Sequence, residues 1–244
     1  MARRIAEERN GEPEMHIEMI YRELLRESRE AGRHVVTTRD GLEVAIYEDV
    51  FSPVMIGETS FYAEALPVPR DGTVLEIGCG AGLIALTAAK NGAAAVLATD
   101  ISPAAVANCK ANASSCGLAN IVTARLSDVF SAVAADEYFD LIFWNCPCIA
   151  ASRDEYDPLE CSVFDPEYQG IGRYLRDAGS HLSPGGHVLM GFSDTVGNRA
   201  LLDQRAAEAG AALSAYRTRE YSNGATIAIL EVTYPLAHAA APRT

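Results

Sequence analysis

VLEIGCGAG, residues 74–82, decides the fold. Val74, Leu75 and Ile77 read as the end of a buried strand, and glycines follow at alternate positions. Gly78, Gly80 and Gly82 let the backbone turn tightly and let a ligand approach the start of the next helix. The spacing is GxGxG. Leu83 stands where the dinucleotide pattern G-x-G-x-x-G has its last glycine, which disfavours a dinucleotide.

Outward from this loop, short apolar strands alternate with amphipathic helices. Strands are expected at 73–77, 95–99, 120–124, 140–144 and 187–192, and helices at 81–91, 103–116, 168–182 and 197–210. That rhythm implies a parallel sheet covered on both faces. Residues 213–234 break it with two strands meeting at Asn223-Gly224, a hairpin turn, so the sheet should end in an antiparallel pair. The expected fold is therefore α/β and Rossmann-like, a seven-stranded, mostly parallel sheet with a C-terminal antiparallel hairpin. Upstream, Ile17, Ile20, Tyr21, Leu24 and Leu25 recur at helical spacing over 13–31, and HVVTTRDGLEVAIY (34–47) folds back at Asp40-Gly41. Three units follow: a helix-and-hairpin cap over 1–60, a main domain over 61–235 and a loose tail over 236–244.

The chain has 244 residues and a formal net charge of −13, and Lys90 and Lys110 are its only lysines. That balance argues against a non-specific hold on nucleic acid, which needs cations against phosphates. No stretch approaches the ~18 apolar residues of a membrane span. The N-terminus MARRIAEERNGEPEM lacks an apolar signal core, so a cytoplasmic protein is expected. The six cysteines show no CxxC spacing and no partner histidines, so neither a metal site nor disulfides are expected. The oligomeric state stays open.

Further acids fit the ligand of the glycine loop. Asp100 closes the second strand about 20 residues on, where a carboxylate takes a ribose diol. Ser127-Asp128 follows the third strand, where a carboxylate accepts from an exocyclic adenine amine, and Glu76 faces a charged amino-acid moiety. Cys79 and Ile101 sit in the same turns. The group describes a pocket for a nucleoside carrying an ammonium and a sulfonium, S-adenosylmethionine (SAM).

VLEIGCGAG, ATDIS (98–102), LSDVF (126–130) and the Asn-x-Pro of NCPC (145–148), in this order, resemble class I SAM-dependent methyltransferases. The resemblance is to the branch of the release-factor glutamine and guanine-N2 ribosomal RNA methyltransferases. DVFSPVMIGETSFYAEALP (49–67) is similar to that branch's lead-in, which implies Thr59 beside the cofactor. FDPEYQGIGRYLRDAGSHLSPGG (164–186) resembles its later helix and turn, and the match covers roughly 48–235.

In that branch the fourth strand ends in Asn-Pro-Pro-aromatic. Methyl transfer from a sulfonium is an in-line displacement, so the nucleophile's lone pair must point along the S–CH₃ axis. The Asn oxygen and a following backbone carbonyl accept the two hydrogens of a planar nitrogen, and positioning supplies up to ~7–11 kcal/mol. Asn145 and Pro147 stand in register here, while Cys146 replaces the first Pro and Cys148 the aromatic. Asn145, Cys146 (through its carbonyl) and Pro147 are the candidate catalytic residues, and Asn145 is also expected beside the cofactor. Without the aromatic, the expected substrate is a small metabolite of natural-product biosynthesis, methylated on nitrogen and amine-bearing or cationic. Asp154, Glu155 and Asp157 of the acidic insert would recognise it, with the cap and Tyr62 closing above. A protein glutamine or ribosomal RNA methyltransferase is one alternative, and an elimination or ring-closing enzyme on the same scaffold is another. A cysteine nucleophile would need a cation or histidine, and His181 or His187 would have to supply it. Strand alternation turns Trp144 away from Asn145 and into the core.

Overall fold

The computed structural model describes residues 13–52, 59–151, 156–221 and 224–235. Helix α1 (Pro13–Glu30) leads into a hairpin of β1 (His34–Thr37) and β2 (Glu43–Ile46), and the short α2 (Thr59–Ala65) follows. Next come β3 (Thr73–Ile77), α3 (Leu83–Lys90), β4 (Ala95–Asp100), α4 (Pro103–Ser115), β5 (Val122–Leu126) and β6 (Phe139–Asn145). The insert after β6 carries β7 (Ile149–Ala151) and β8 (Phe164–Pro166). The chain then runs through α5 (Gln169–Asp177), β9 (Leu182–Phe192), α6 (Arg199–Glu208), β10 (Ala212–Glu220) and β11 (Thr226–Thr233).

The main sheet has seven strands in the order β10-β11-β9-β6-β3-β4-β5. Pairs β9–β6, β6–β3, β3–β4 and β4–β5 are parallel, and β11 runs antiparallel to both β9 and β10. Both faces are covered, as the uninterrupted apolar strands require. Val74, Leu141 and Phe143 pack with Ile84 and Leu86 of α3 and Val106 of α4. Leu75, Ile77, Ile142 and Trp144 pack on the other face with Tyr174 and Leu175 of α5 and Leu202 of α6. After β3 the chain builds outward through β4 and β5, then returns to place β6 on β3's other side. Such a reversal opens a crevice at the carboxyl ends of the strands.

Three boundaries differ most from expectation: β9 starts at Leu182 rather than 187, and the third strand and the helix over 168–182 also shift. The third strand starts at Val122 because the amides of Ile121 and Val122 both donate to Leu118 O, closing the turn after α4. The helix expected over 168–182 ends at Asp177 in a 3₁₀ turn, Ala178–His181. There Gly179 lies against the Tyr234 ring, where a Cβ would sit 2.9 Å from a ring carbon. The C-terminal hairpin turns through Gly224 at φ +81°, while Asn223 lies outside the described residues.

The N-terminal elements rest on two different parts of the body. Asn108 and Asn112, one turn apart on α4, clasp the edge of β2. Asn108 accepts from Tyr47 N (3.0 Å) and donates to Ala45 O (2.8 Å), while Asn112 accepts from Ala45 N (3.0 Å) and donates to Ala81 O (2.9 Å). Helix α1 instead packs Tyr21, Leu24 and Leu25 onto Ile149, Leu159, Val163 and Phe164 of the insert. Arg22 pairs with Glu160 at 2.9 Å and lies over the Tyr156 and Phe164 rings. Tyr62, expected at the opening, is instead in the core. It is fully buried, with its ring 5.5 Å from Phe61 and 5.7 Å from Phe143, because α2 turns its apolar face onto the sheet.

Candidate active site

The loop after β3 takes its shape from its glycines. Gly78, Gly80 and Gly82 have φ of +64°, +53° and +86°, a left-handed conformation that side chains rarely adopt. A Cβ on Gly78 would lie 2.7 Å from Trp144 Nε1, and one on Gly82 would lie 2.6 Å from Cys109 Sγ. The loop therefore lies directly on β6 and α4. Asp100, ending β4, fixes it from the side: its Oδ2 accepts from Gly80 N (2.9 Å) and its Oδ1 from Ser102 N (2.8 Å). Desolvation raises its pKa even so. Glu76 is buried beneath the loop, its Oε2 accepting from Ala85 N (2.9 Å) in the first turn of α3. Burial drives the Glu76 carboxyl well above the usual range.

Below the adjoining strand ends, Ser127 builds a turn: its hydroxyl donates to Val129 O (2.8 Å) and accepts from Ala132 N (3.0 Å). Asp128 accepts from Arg173 Nη2 at 2.8 Å. Ile101, an apolar side chain left 45 % exposed, stands at the rim of the crevice. A cavity of about 280 Å³ joins these elements. Thr59, Glu76, Gly78, Cys79, Gly80, Asp100, Ile101, Ser127, Asp128, Asn145 and Pro147 all line it, while Gly82 and Cys146 do not. Gly82 turns the chain into α3 behind the cavity wall.

At the end of β6, Asn145 pairs in register with Gly191 of β9. Cys146 points its side chain into the core, with Sγ donating to Gly191 O at 3.0 Å. Its carbonyl accepts from Cys148 Sγ at 3.4 Å, and Cys148 O accepts from the Tyr168 hydroxyl. Burial pushes the Cys146 thiol well up, opposite to what a nucleophile needs. Neither histidine helps: His181 stacks on Phe130 and bonds Glu137 O, and His187 pairs with Glu231. Trp144 is core, as expected, although one side of its ring also meets the cavity.

Of the insert's acids, Asp157 is used differently from expectation. Asp157 accepts from Leu159 N and Glu160 N (both 2.9 Å) and pairs with Arg29 of α1 at 2.5 Å, so it builds a turn and anchors the cap. Asp154 and Glu155 lie outside the described residues. Sequence reasoning missed Phe51, Phe164, Asp165 and Arg173, which also line the cavity. Asp165 accepts from Gly170 N (3.0 Å) and Ile171 N (2.8 Å), holding the start of α5. For these four residues the available signal was their place in the stretches that carry the resemblance, Phe51 in DVFSP and Phe164, Asp165 and Arg173 in FDPEYQGIGR.

Among the described residues no helix is long and apolar enough to cross a membrane. A release factor glutamine methyltransferase of Cereibacter sphaeroides is 39 % identical over 169 residues, covering 65 % of this chain and 56 % of that protein. One from Rhodopirellula baltica is 35 % identical over 136 residues, covering 51 % and 45 %. The chain thus spans about half the length of these curated relatives. A solved T. thermophilus 16S rRNA N2 methyltransferase, bound to AdoMet and guanosine, superposes with a TM-score of 0.56 at 18 % identity, over 83 % of this chain and 50 % of that one. These names belong to proteins acting on macromolecules. They overturn the expectation of a small-molecule substrate and the argument from net charge against nucleic acid. SAM, the expected cofactor, is the AdoMet bound in the T. thermophilus structure, and natural-product metabolism finds no support in the three names. The profile of the methyltransferase small domain matches residues 41–215, and the chain belongs to that family, with the class I SAM-dependent methyltransferase fold.

Proposed function

We propose that this chain methylates the side-chain amide nitrogen of a glutamine in a protein, with SAM as donor. The observation that carries the reading is Asn145. It ends β6 on the wall of the cavity that the glycine loop and Asp100 also line. SAM supplies an electrophilic methyl group. The residues present suit its parts: Asp100's oxygens each keep a lone pair for ribose hydroxyls, Asp128 keeps an oxygen beyond the one held by Arg173, and Glu76 offers a buried carboxyl to a cation.

For the acceptor, Asn145 Oδ1 and a carbonyl of the Cys146-Pro147 turn would take the two amide hydrogens and direct the nitrogen lone pair inward. Phe51 gives the cavity a flat apolar wall, in place of the aromatic missing after Pro147. No strong base is required, because positioning supplies the larger share of the effect. The test is to incubate the full chain with methyl-labelled SAM and a cell extract, then map the label by mass spectrometry. Label on glutamine in the protein fraction is expected. Asn145→Ala should abolish it while calorimetry shows SAM affinity unchanged. Label confined to RNA would overturn the glutamine assignment, and no SAM binding at millimolar concentration would overturn the cofactor assignment.

A further inference from the structure

A second cleft, of about 370 Å³, lies between α5 and α6 among the described residues. Its walls carry three guanidinium groups, Arg173, Arg176 and Arg205, against one carboxylate, Glu208. In a chain with a net charge of −13 this local excess of cations runs against the composition. Arg173 and Arg176 stand three residues apart, so they share a face of α5, and Arg205 of α6 lines the same cleft.

The acids nearby leave donors uncommitted. Glu208 is held by Arg205 Nη1 (2.7 Å) and Gln204 Nε2 (2.8 Å), and Arg205 Nε donates to Glu167 O (2.9 Å). Arg173 gives Nη2 to Asp128, but its Nε is buried without any acceptor. Arg176 is exposed and has no hydrogen bond or ion pair among the described residues. Arginine forks match phosphate oxygens, bonding them bidentately. The cleft is roomy enough to admit a phosphate together with its attached sugar.

We propose that this cleft is a phosphate-binding subsite taking a phosphate with its attached sugar, from a free sugar phosphate or from an RNA backbone. Arg173 and Gln169 line both this cleft and the cofactor cavity, so an occupant would sit against the cofactor's wall. The test titrates ribose 5-phosphate and, separately, a uridine hexanucleotide into the full chain by calorimetry at low salt, with no SAM present. At least one probe should bind, and Arg176→Gln and Arg205→Gln should each weaken it about ten-fold, with the melting temperature unchanged in Arg176→Gln. Ribose 5-phosphate binding as tightly as the hexanucleotide assigns a free sugar phosphate. A tighter hexanucleotide, with a salt slope shallower by about one unit in each variant, assigns an RNA backbone. Binding of neither probe at millimolar concentration, or equal binding by wild type and both variants, overturns the subsite. So does an oligoglutamate peptide that competes as well as either probe, since it would assign a carboxylate partner. Methyl acceptor and SAM are absent throughout, so failure here leaves the methyl-transfer reading standing.

Discussion

Gly191→Ala puts the placement of Asn145 under direct test. Gly191 faces Asn145 across the β6–β9 ladder. A Cβ there would lie 2.8 Å from Tyr62 Cζ, and 3.0 Å from both Tyr62 Cε2 and Asn145 Oδ1, where ordinary contact begins near 3.4 Å. Tyr62 is fully buried between Phe61 and Phe143 and has no room to swing aside. The backbone of Gly191 is itself tied, its carbonyl accepting the Cys146 thiol. Asn145 borders open cavity, so its side chain gives way first, by about half an ångström, and β9 absorbs the rest. Overpacking of this kind costs about 1–3 kcal/mol of stability.

The catalytic effect should be larger than the stability effect. A misplacement near 1 Å costs about 10²-fold in rate, so kcat should fall by about ten- to a hundred-fold. SAM affinity should hold, because Gly80 and Asp100 lie on the other side of β3 from β9. Urea unfolding, SAM calorimetry and transfer rates at saturating SAM separate the three quantities. A kcat within about two-fold of wild type in a folded variant would refute the argument. Joint loss of rate and SAM affinity would refute it too, because Asn145 would then not be the group displaced.

Glu76 makes a prediction about pH. Its carboxyl pKa is raised well above 4.5 by burial, so the native chain keeps this proton where the unfolded chain has lost it. The stability this group contributes is fully present below 4.5 and is lost as pH rises through the raised value. Glu76→Gln should therefore flatten that part of the stability-against-pH curve and stabilise the SAM-free chain at neutral pH; an unchanged slope in urea melts would count against it. The cap offers a third prediction. Leu25, 3 % exposed against the insert, should cost about 2–5 kcal/mol of α1 docking when changed to Ala. Hydrogen exchange should rise across α1 and KM for the acceptor should rise, while SAM affinity stays; a matching loss of SAM affinity would show that α1 supports the cofactor side instead.

The parts of the fold legible in the sequence were those decided over a few residues. Val74 to Gly82 carries its strand, its turn and part of the cavity wall in one contiguous run, and Asp100 and Asn145 each end a strand whose apolar run announces it. Boundaries slipped where backbone bonds of a turn, such as those to Leu118 O, took residues that propensity gave to a strand. The remaining site residues were illegible because distant segments deliver them. Gly191 acts on Asn145 across a ladder between residues 46 apart in sequence, and Arg173 reaches Asp128 across 45. Asn108 and Asn112 fall in a run expected only as a helix, yet both are buried and clasp β2. Asp157 read as a substrate acid because only the folded chain brings Arg29 to it.

The NCPC turn shows how the rigidity of one proline can be replaced. Cys146 donates its thiol to Gly191 O, Cys148 donates its thiol to Cys146 O, Tyr168 donates its hydroxyl to Cys148 O, and Asn198 N donates to that hydroxyl at 2.9 Å. This continuous chain of bonds runs from β9 through the turn to the residue before α6. A ring would restrict φ of the turn; here side-chain donors hold the carbonyls instead. A thiol is a weak donor and a carbonyl has two lone pairs, so Cys146 O can accept a substrate N–H at little cost to its bond with Cys148. Burial keeps the proton on Cys146, and the chain of bonds requires it there. The same proton that disqualifies Cys146 as a nucleophile adds a bond to Gly191 O just past the end of the β6–β9 ladder, beside Asn145.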